Sequence, residues 1–375
     1  MKQFKVILLI GFSFLLTGCW DSHEIEEIEF ATSIGIDYRD EKYLIYAQTL
    51  DFTNVAKQES GKPAEPAPLY IGKGSGHTII DAIDDLYRHL QQPMNWSHIG
   101  AIIYSESVLQ QGLEKVEQGL KRYGEFRYTP WMFGTKGSIE KILSVTGFFH
   151  LPPIYTILYN PTNIYDVYSY IEPMRMHKFI SIYKEPGGTV LLPSIDIDET
   201  DWKETVQTPK PKITLKINGV FPVNQGKYKE WLSYRDIIGL RWLQTATNHT
   251  PVEIIEDNKT KGIVRITDPS FKINVVKNGE SVHFNIIVEA KGALRDLQEP
   301  LSSKKIEVLV AKQIEKEIRS TYKNSINKKV DVYNLKNLLF HHRVKPSQLK
   351  NYPLTTDSLK EIKVKFHLES RGVFN

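Results

Sequence analysis

The chain of 375 residues contains one cysteine, Cys19. A single thiol cannot form a disulfide within the chain, so the folded body has to derive its stability from buried apolar side chains. Its composition, with 41% hydrophobic and 25% charged residues, is that of an ordinary globular protein and is sufficient for such a core.

The chain also lacks an excess of charge of one sign. The formal net charge is +4, and it falls to +2 when Lys2 and Lys5 are removed with a leader. A balance so close to zero gives no electrostatic support to nucleic-acid binding. Long apolar runs are missing after the first twenty residues, so no transmembrane helix is expected in the remainder.

Motifs for catalysis or phosphate binding are missing as well. No Gly-x-Ser-x-Gly elbow occurs. The stretch Gly72–Gly76 lacks the Gly-Lys-Ser/Thr ending of a phosphate loop, and His77 occupies the place of the third glycine of a dinucleotide motif. We predict a flexible loop here, although glycine amides ahead of a helix could also present N–H groups to an anion.

Metal-binding patterns are equally weak. Asp196–Asp201 begins like a calcium loop, but Asp201 stands where the turn glycine belongs and Gln207 where the bidentate glutamate belongs. Eleven histidines are scattered, and the adjacent pair His341 and His342 would point apart on a helix. We predict no metal site, no cofactor and no catalytic residue, and therefore no enzyme.

What the chain does contain is a leader of the lipoprotein type. Two lysines precede an apolar run from Val6 to Leu16, which is too short to span a bilayer of about 30 Å. A small threonine and Gly18 then lead into Cys19. We predict that residues 1–18 are a signal peptide, cleaved between Gly18 and Cys19, whose thiolate forms a thioether to diacylglycerol. The alternative is an ordinary secretory signal with an incidental cysteine.

The predicted anchor determines where the body lies. Two or three acyl chains, at roughly 0.8 kcal/mol per buried methylene, hold a protein on a bilayer more firmly than one chain does. The residues from Cys19 onward are then expected to form a soluble body, lipid-anchored on the extracytoplasmic face of the cell membrane.

Hydrophobic periodicity predicts alternating strands and helices in the first part of the chain. Phe30–Asp37 and Lys42–Phe52 are predicted to form a β-hairpin, and residues 56–76 a loop. The further expected elements are helices over Thr78–Gln92, Ser105–Tyr123 with a break at Gly112, and Ser138–Val145, and strands over His98–Tyr104 and Arg127–Thr135.

Residues 148–212 are rich in proline and have little periodicity, so irregular connecting structure around short helices is predicted there. A domain boundary is expected near Gln207–Pro211, and a hairpin at Asn278-Gly279. The expected strands after the boundary are Ile213–Val223, Lys229–Leu232, Ile263–Thr267, Phe271–Val276, Val282–Ala290 and Ile362–Leu368, and the expected helices are Tyr234–Leu243, Ser303–Tyr322 and Val332–Phe340.

Together these elements predict an α+β protein with two or three mixed α/β domains and mostly antiparallel sheets, after a cleaved lipoprotein signal peptide. The predicted N-terminal α+β domain covers residues 19–207, of which 148–207 are an irregular connecting region. The predicted C-terminal α+β domain covers residues 208–375.

One set of short motifs is spread along the chain: Cys19-Trp20-Asp21, Glu24-Ile25, Gly35-Ile36-Asp37, His98, Glu106, Gly112, Gly219-Val220-Phe221, Gly239-Leu240-Arg241-Trp242 and Gly372. Together these residues resemble one known family, the C subunits of bacterial spore germinant receptors, over essentially the whole mature chain. The segment Asp331–Leu335 is the least typical of that family.

The resemblance implies a lipoprotein on the outer leaflet of the inner spore membrane, assembled with the integral membrane A and B subunits of the same receptor. It implies a requirement in nutrient-triggered germination, exerted through protein contacts and without known enzymatic activity. The residues alone leave two other functions open. One is a solute-binding lipoprotein of a transporter, which usually shows long βαβ units rather than hairpins, and the other is a cell-wall hydrolase.

Overall fold

The fold is described here from a computed structural model. It describes residues 28–50, 68–123, 127–205, 208–278, 281–350 and 352–370. Cys19 with the rest of the predicted leader lies outside the described residues, and so do the motif residues Trp20, Asp21, Glu24, Ile25 and Gly372 and the hairpin residue Gly279.

The described residues form strands and helices in mixed order. The strands are β1 Glu29–Arg39, β2 Lys42–Leu50, β3 Leu69–Gly76, β4 Met94–Asn95, β5 Ala101–Ser105, β6 Trp131–Thr135, β7 Met174–Arg175, β8 Thr189–Asp198, β9 Lys203–Glu204, β10 Lys210–Pro211, β11 Thr214–Asn224, β12 Lys227–Tyr228, β13 Leu232–Ser233, β14 His249–Glu256, β15 Lys259–Asn278, β16 Ser281–Leu297 and β17 Leu359–Ser370. The α-helices are α1 Ile79–Tyr87, α2 Glu106–Gln111, α3 Glu114–Tyr123, α4 Ile139–Leu143, α5 Pro161–Tyr165, α6 Met176–Lys184, α7 Ser303–Asn327, α8 Leu335–His341 and α9 Pro346–Lys350, and the 3-10 helices are Phe148–His150, Pro153–Tyr155, Ile238–Leu243 and Thr356–Ser358.

The larger sheet mixes parallel and antiparallel neighbours. Its main strands lie in the order β12-β11-β8-β6-β5-β1-β2-β3. The strands β1, β5, β6 and β8 run parallel at its centre, and antiparallel hairpins complete both sides. A smaller sheet has the order β14-β15-β16-β17, in which the closing strand β17 runs parallel to β16. The predicted α+β class is therefore confirmed.

The predicted N-terminal hairpin is confirmed. β1 and β2 pair antiparallel, and the turn between them places Asp40 and Glu41 at φ angles of 49° and 59°. The predicted helix starts at Ser105 and Ser138 are also confirmed, because their hydroxyls accept hydrogen bonds from the N–H groups of Val108 and Lys141. The predicted break between two helices falls at Gly112, where φ is 93°.

The predicted loop over Gly72–Gly76 is wrong, because these residues belong to β3. The strand pairs antiparallel with β2 along its whole length. Its alternate glycines face α1, and a Cβ atom on Gly74 would lie 2.1 Å from the carbonyl oxygen of Ala82. The glycines therefore allow a helix to lie directly against the strand. Glycine is favoured at such a close contact as well as in loops, so its presence alone does not distinguish the two.

The prediction of irregular structure over residues 148–212 is wrong for part of this region. The short helix α6 agrees with the prediction, but the region also contains the ten-residue strand β8, which lies between β6 and β11. Pro193 within β8 concealed the strand, since proline cannot donate to a ladder. Within β8, Pro193 lies opposite Val220 of β11.

The smaller sheet is longer than predicted. The two strands expected over residues 263–276 form one strand, β15, with an irregularity between Thr267 and Ser270. The preceding strand β14 was not predicted, and the helix expected over Tyr234–Leu243 is a shorter 3-10 helix. The antiparallel pairing of β15 with β16 and the long helix α7 are confirmed, and α7 begins after the capping residue Ser302. The turn predicted at Asn278-Gly279 includes a residue outside the described ranges.

The strand β11 connects the two parts of the protein. It follows the predicted boundary at residues 207–208, yet it pairs with β8 in the larger sheet from Thr214 to Asn224. Val220 of β11 also belongs to the hydrophobic core between α7 and the smaller sheet. The domain division at this boundary stays a prediction. Among the described residues, no helix is both long and apolar enough to cross a membrane.

The close approach of α1 to β3 can be tested by Gly74→Ala. The added methyl group would meet the backbone of α1, which cannot shift without disturbing the strand, so we expect a loss of roughly 2–3 kcal/mol in the free energy of unfolding. Urea unfolding of both proteins measures this loss. Lys73→Ala, at the exposed neighbouring position, is the control and should cost at most about 1 kcal/mol. Equal stability of Gly74→Ala and the parent would contradict the close contact.

Candidate functional site

Two of the predicted motif residues, Gly35 and Asp37, lie in the described part of the chain, on the central strand β1. A Cβ atom on Gly35 would lie 2.1 Å from the Cγ2 atom of Ile139, so glycine allows α4 to lie directly on the strand. Two residues further along, Asp37 is buried with 2% of its surface exposed. The motif therefore serves packing at one position and polar contacts at the other.

The carboxylate of Asp37 connects β1 to the start of α2. Its Oδ1 atom accepts hydrogen bonds from the Tyr38 N–H at 2.8 Å and from the Ser107 hydroxyl at 2.9 Å. Its Oδ2 atom lies 2.7 Å from Nε of Arg39. Burial by itself would raise the pKa of Asp37, but hydrogen bonds from Ser105, Ser107 and the Tyr38 N–H, together with the Arg39 charge, hold this pKa below the ordinary value of 3.8. The group is thus a fixed anion.

The other N-terminal motif residues surround the same helix. Glu106, the first residue of α2, accepts a hydrogen bond of 2.6 Å from the Tyr228 hydroxyl of β12. Gly112 ends the helix, and a Cβ atom there would lie 3.3 Å from the carbonyl oxygen of Gly226 in the β11–β12 turn. His98 is the exception, because its ring packs edge-on against Phe30 at 4.8 Å, near the start of β1.

A buried ion pair lies at the C-terminal motif Gly239-Leu240-Arg241-Trp242. The Arg241 Nη2 and Trp242 Nε1 atoms both donate to Oε2 of Glu317 at 2.8 Å. The second guanidinium nitrogen, Nη1, donates to the Thr250 hydroxyl at 2.8 Å. Arg241 and Glu317 are 3% and 6% exposed, so both charges have been removed from water. Such a pair persists only where each charge is compensated.

Gly239 lets the 3-10 helix approach α7 closely enough for this ion pair. A Cβ atom at residue 239 would lie 2.3 Å from the carbonyl oxygen of Glu317. The Gly239 N–H donates to the Thr321 hydroxyl at 2.9 Å, one turn further along α7. The motif therefore fastens the turn 238–243 to the long helix.

The least family-like segment, Asp331–Leu335, forms the contact between α7, α8 and the larger sheet. Burial raises the pKa of Asp331, whose carboxylate accepts hydrogen bonds from the N–H groups of Lys336 and Leu335. Asn334, at φ 53°, exchanges two hydrogen bonds with the backbone of Thr189 at the start of β8. The side-chain amide therefore takes the place of a strand neighbour at this end of β8.

The residues considered for metal binding do not come together. Within the described ranges, no group of three or more histidine, cysteine or acidic side chains is placed to hold a metal ion. His341 lies 3.0 Å from a carboxylate oxygen of Glu185. Asp198 accepts hydrogen bonds from the N–H groups of Thr200 and Asp201 and pairs with Lys216. These groups have protein partners that account for their positions.

The chain matches two family models that together span most of its length. Residues 21–197 match the model described as the spore germination protein N-terminal domain. Residues 218–372 match the model described as spore germination B3/GerAC like, C-terminal.

Relatives from Bacillus subtilis (strain 168) are similar along most of the chain. Spore germination protein KC is 25% identical over 352 residues, which are 88% of this chain and 85% of that protein. Spore germination protein B3 is 24% identical over 317 residues, 81% of this chain and 79% of that protein. Among solved structures, the crystal structure of the GerBC protein matches with a TM-score of 0.55 at 16% identity, covering 92% of this chain and 100% of that one. This match indicates the same overall fold.

The ion pair at the C-terminal motif can be tested by Glu317→Ala. The substitution leaves the Arg241 charge buried without its partner, so we expect a loss of about 3–5 kcal/mol in the free energy of unfolding, measured in urea. Glu315→Ala on the same helix, which breaks an exposed pair with Arg319, should cost less than about 1 kcal/mol. A double variant, Arg241→Met with Glu317→Leu, should be more stable than Glu317→Ala. If Glu317→Ala unfolds like Glu315→Ala, the buried pair does not hold the helix.

The Asp37 anion can be tested through pH. Because its pKa in the folded protein lies below the ordinary value of 3.8, its stabilisation is fully present above that value and is lost as the pH falls through the folded pKa. We expect Asp37→Asn to lower the free energy of unfolding by roughly 1–2 kcal/mol at neutral pH and by progressively less below about pH 4. Asp40→Asn in the exposed turn is the control. A loss that does not depend on pH would contradict the assignment of the stabilisation to the charge.

Proposed function

Because the chain belongs to the family of spore germination proteins whose N-terminal and C-terminal domain models it matches, we propose that it is a membrane-anchored lipoprotein subunit of a nutrient germinant receptor, required for spore germination. The family resemblance predicted from the sequence is thereby confirmed. The observation that carries the proposal is the succession of both domain models along one chain, together with its similarity to two spore germination proteins over most of its length.

The proposed anchor rests on the sequence. Cys19 follows an apolar run and Gly18, and strand β1 begins at Glu29, ten positions later. Ten residues span at most about 35 Å when extended, so an acylated Cys19 would keep the body close to the bilayer. We place it on the extracytoplasmic face of the membrane and, in the spore, on the inner spore membrane.

The proposed action is through protein contacts, with integral membrane A and B subunits of the same receptor as the partners. Two observations support it. The polar groups at the motif positions are used inside the fold, where Asp37 joins β1 to α2 and Arg241 joins the 3-10 helix to α7. Relatives from Bacillus subtilis are named as spore germination proteins A3, B3 and KC. A role as a scaffold or signalling subunit needs no catalytic residue and no cofactor.

The anchor is tested by Cys19→Ala in an endospore-forming host. We expect the protein to be missing from the spore membrane fraction and nutrient-triggered germination to fall to the level of a deletion strain, because the thioether cannot form. Immunoblots of the fractions and the loss of optical density after nutrient addition measure both effects. Thr17→Ala, which keeps a small residue before the cleavage site, is the matched control and should behave like the parent.

Crosslinking of dormant spores completes this test. Identification of the crosslinked partners should recover two integral membrane proteins from spores of the parent strain and neither of them from Cys19→Ala spores. Normal receptor levels together with normal germination in the Cys19→Ala strain would count against the proposal.

A further inference from the structure

Exposed apolar side chains are concentrated in one region of the protein. Among the described residues, eleven large apolar side chains are exposed, and eight of them lie between residues 148 and 213. Scattered exposed apolar side chains are normal, but a concentration of this kind marks a surface that interacts with a protein or a membrane. Five of the eight make up what we call the apolar patch: Phe148 (40% exposed), Phe149 (67%), Ile164 (60%), Tyr168 (50%) and Trp202 (56%).

The side chains of the apolar patch form one continuous surface. The Phe148 ring packs edge-on against Trp202 with ring centroids 5.0 Å apart, and its centroid lies 6.3 Å from that of Phe149. Phe148, Trp202, Ile164 and Tyr168 also line one apolar pocket of about 610 Å³, to which strands of the larger sheet contribute. None of the described residues that line this pocket is acidic. The patch is therefore an apolar surface with a concave centre.

Two rings of the patch stand at the tip of a tight loop. The Gly147 N–H donates to the carbonyl oxygen of Leu151 at 2.8 Å and closes this loop. Phe149 and His150 have φ angles of 56° and 61°, in the left-handed region that is costly for residues other than glycine. The backbone thus holds Phe148 and Phe149 on the outside of the body, where neither ring is buried in the core.

The segment that carries the patch contacts β1 near its beginning, where the chain from the predicted anchor enters the body. The Tyr159 hydroxyl donates to the Thr32 hydroxyl at 3.1 Å. The Gln48 side chain accepts from Thr32 at 3.0 Å and donates to the carbonyl oxygen of Leu143. Phe148 follows Leu143 by five residues, which span at most about 18 Å. The patch is therefore close to the point at which this chain enters.

The connection to the predicted anchor is short enough to bring this surface to a bilayer. Ten positions separate Cys19 from Glu29, the first residue of β1, and they span at most about 35 Å. An acylated Cys19 thus holds the beginning of β1, and the patch beside it, at a bilayer surface. Lipid is the apolar partner that this geometry keeps next to the patch at all times.

The residue types of the patch suit the boundary between lipid headgroups and acyl chains. Trp202 and Tyr168 each combine an apolar ring with one polar group, and tryptophan and tyrosine are enriched at this depth of a membrane. Trp202 stands between Asp201 and Lys203, which are both exposed. Their charges can remain among the headgroups while the ring between them enters the apolar layer.

We propose that the apolar patch is a second contact of the body with the membrane, in which its rings insert into the boundary between headgroups and acyl chains. This contact rests on the proposed anchor at Cys19, which keeps the patch within reach of the bilayer. The anchor holds the protein at the membrane, and the patch determines which face of the body is turned toward the lipids. The other faces are then left for protein partners.

Spin labels on introduced cysteines test this contact, because an acylated Cys19 leaves no free thiol in the parent chain. The full chain is reconstituted in vesicles of phosphatidylethanolamine and phosphatidylglycerol, and the relaxation of each label by oxygen and by a water-soluble nickel chelate gives its depth. Labels at Phe149→Cys and Trp202→Cys should lie about 5–10 Å into the boundary between headgroups and acyl chains. A label at Val308→Cys, an apolar position on α7 that is 57% exposed, is the matched control and should lie in water.

A charge placed in the patch should lift it out of the lipid. Phe149→Asp should move the label at residue 202 into water, because a carboxylate is costly to bury among acyl chains. Val308→Asp, at the control position, should leave the label at residue 202 at its depth. Circular dichroism melting establishes that each variant is folded.

Two results would overturn the proposal. One is that the labels at residues 149 and 202 are as accessible to the nickel chelate as the label at residue 308. The other is that they are shielded from oxygen and nickel alike, since protein rather than lipid would then cover the patch. Labelling of the parent chain itself would show a free thiol at Cys19 and would contradict the anchor alone, because the depth at residues 149 and 202 decides on the patch separately.

Discussion

The C-terminal part of the protein depends on one buried ion pair. Arg241 and Glu317 are 76 positions apart in the chain, and each would be costly to bury without the other. The geometry that brings them together requires the 3-10 helix to lie against α7, which Gly239 makes possible. Leu240 and Trp242 then enter the core between α7 and the smaller sheet. A polar contact thus determines how the apolar residues on either side of it are placed, because the charged groups tolerate few alternatives.

The same principle of close approach operates in the larger sheet. Gly35 and Gly74 let α4 and α1 lie on β1 and β3, with helix atoms where side chains would otherwise stand. Between the two parts of the protein, the side-chain amide of Asn334 exchanges hydrogen bonds with the backbone of β8. Strand β11 belongs to the larger sheet and also contributes to the core between α7 and the smaller sheet. Residues that resemble a functional motif in the sequence therefore mainly hold elements of the fold against one another. Recognition of partners is then a property of the surfaces of these elements.

Much of the local structure could be predicted from the sequence, because it is determined by neighbouring residues. The hairpin at Asp40-Glu41, the serine helix caps and the apolar stripe of α7 are of this kind. The strand β3 could not be predicted, because a glycine-rich stretch predicts a loop. Its glycines are required by the helix α1, which lies over the strand and leaves no room for larger side chains. The partnership of Arg241 with Glu317 also escaped prediction. Its one local signal is an acidic residue directly before Ile318 on the buried face of α7, and nothing nearby identifies the partner.

The central claim is that the ion pair fastens the turn 238–243 to α7, and amide-resolved native-state hydrogen exchange of the full chain tests it most directly. The Gly239 N–H, which is bonded to the Thr321 hydroxyl, should exchange with the same free energy of opening as the amides in the middle of α7. That result would mean that the turn and the helix open together. Exchange of Gly239 at a much lower free energy, while the middle of α7 stays protected, would show that the turn opens independently and would contradict the claim.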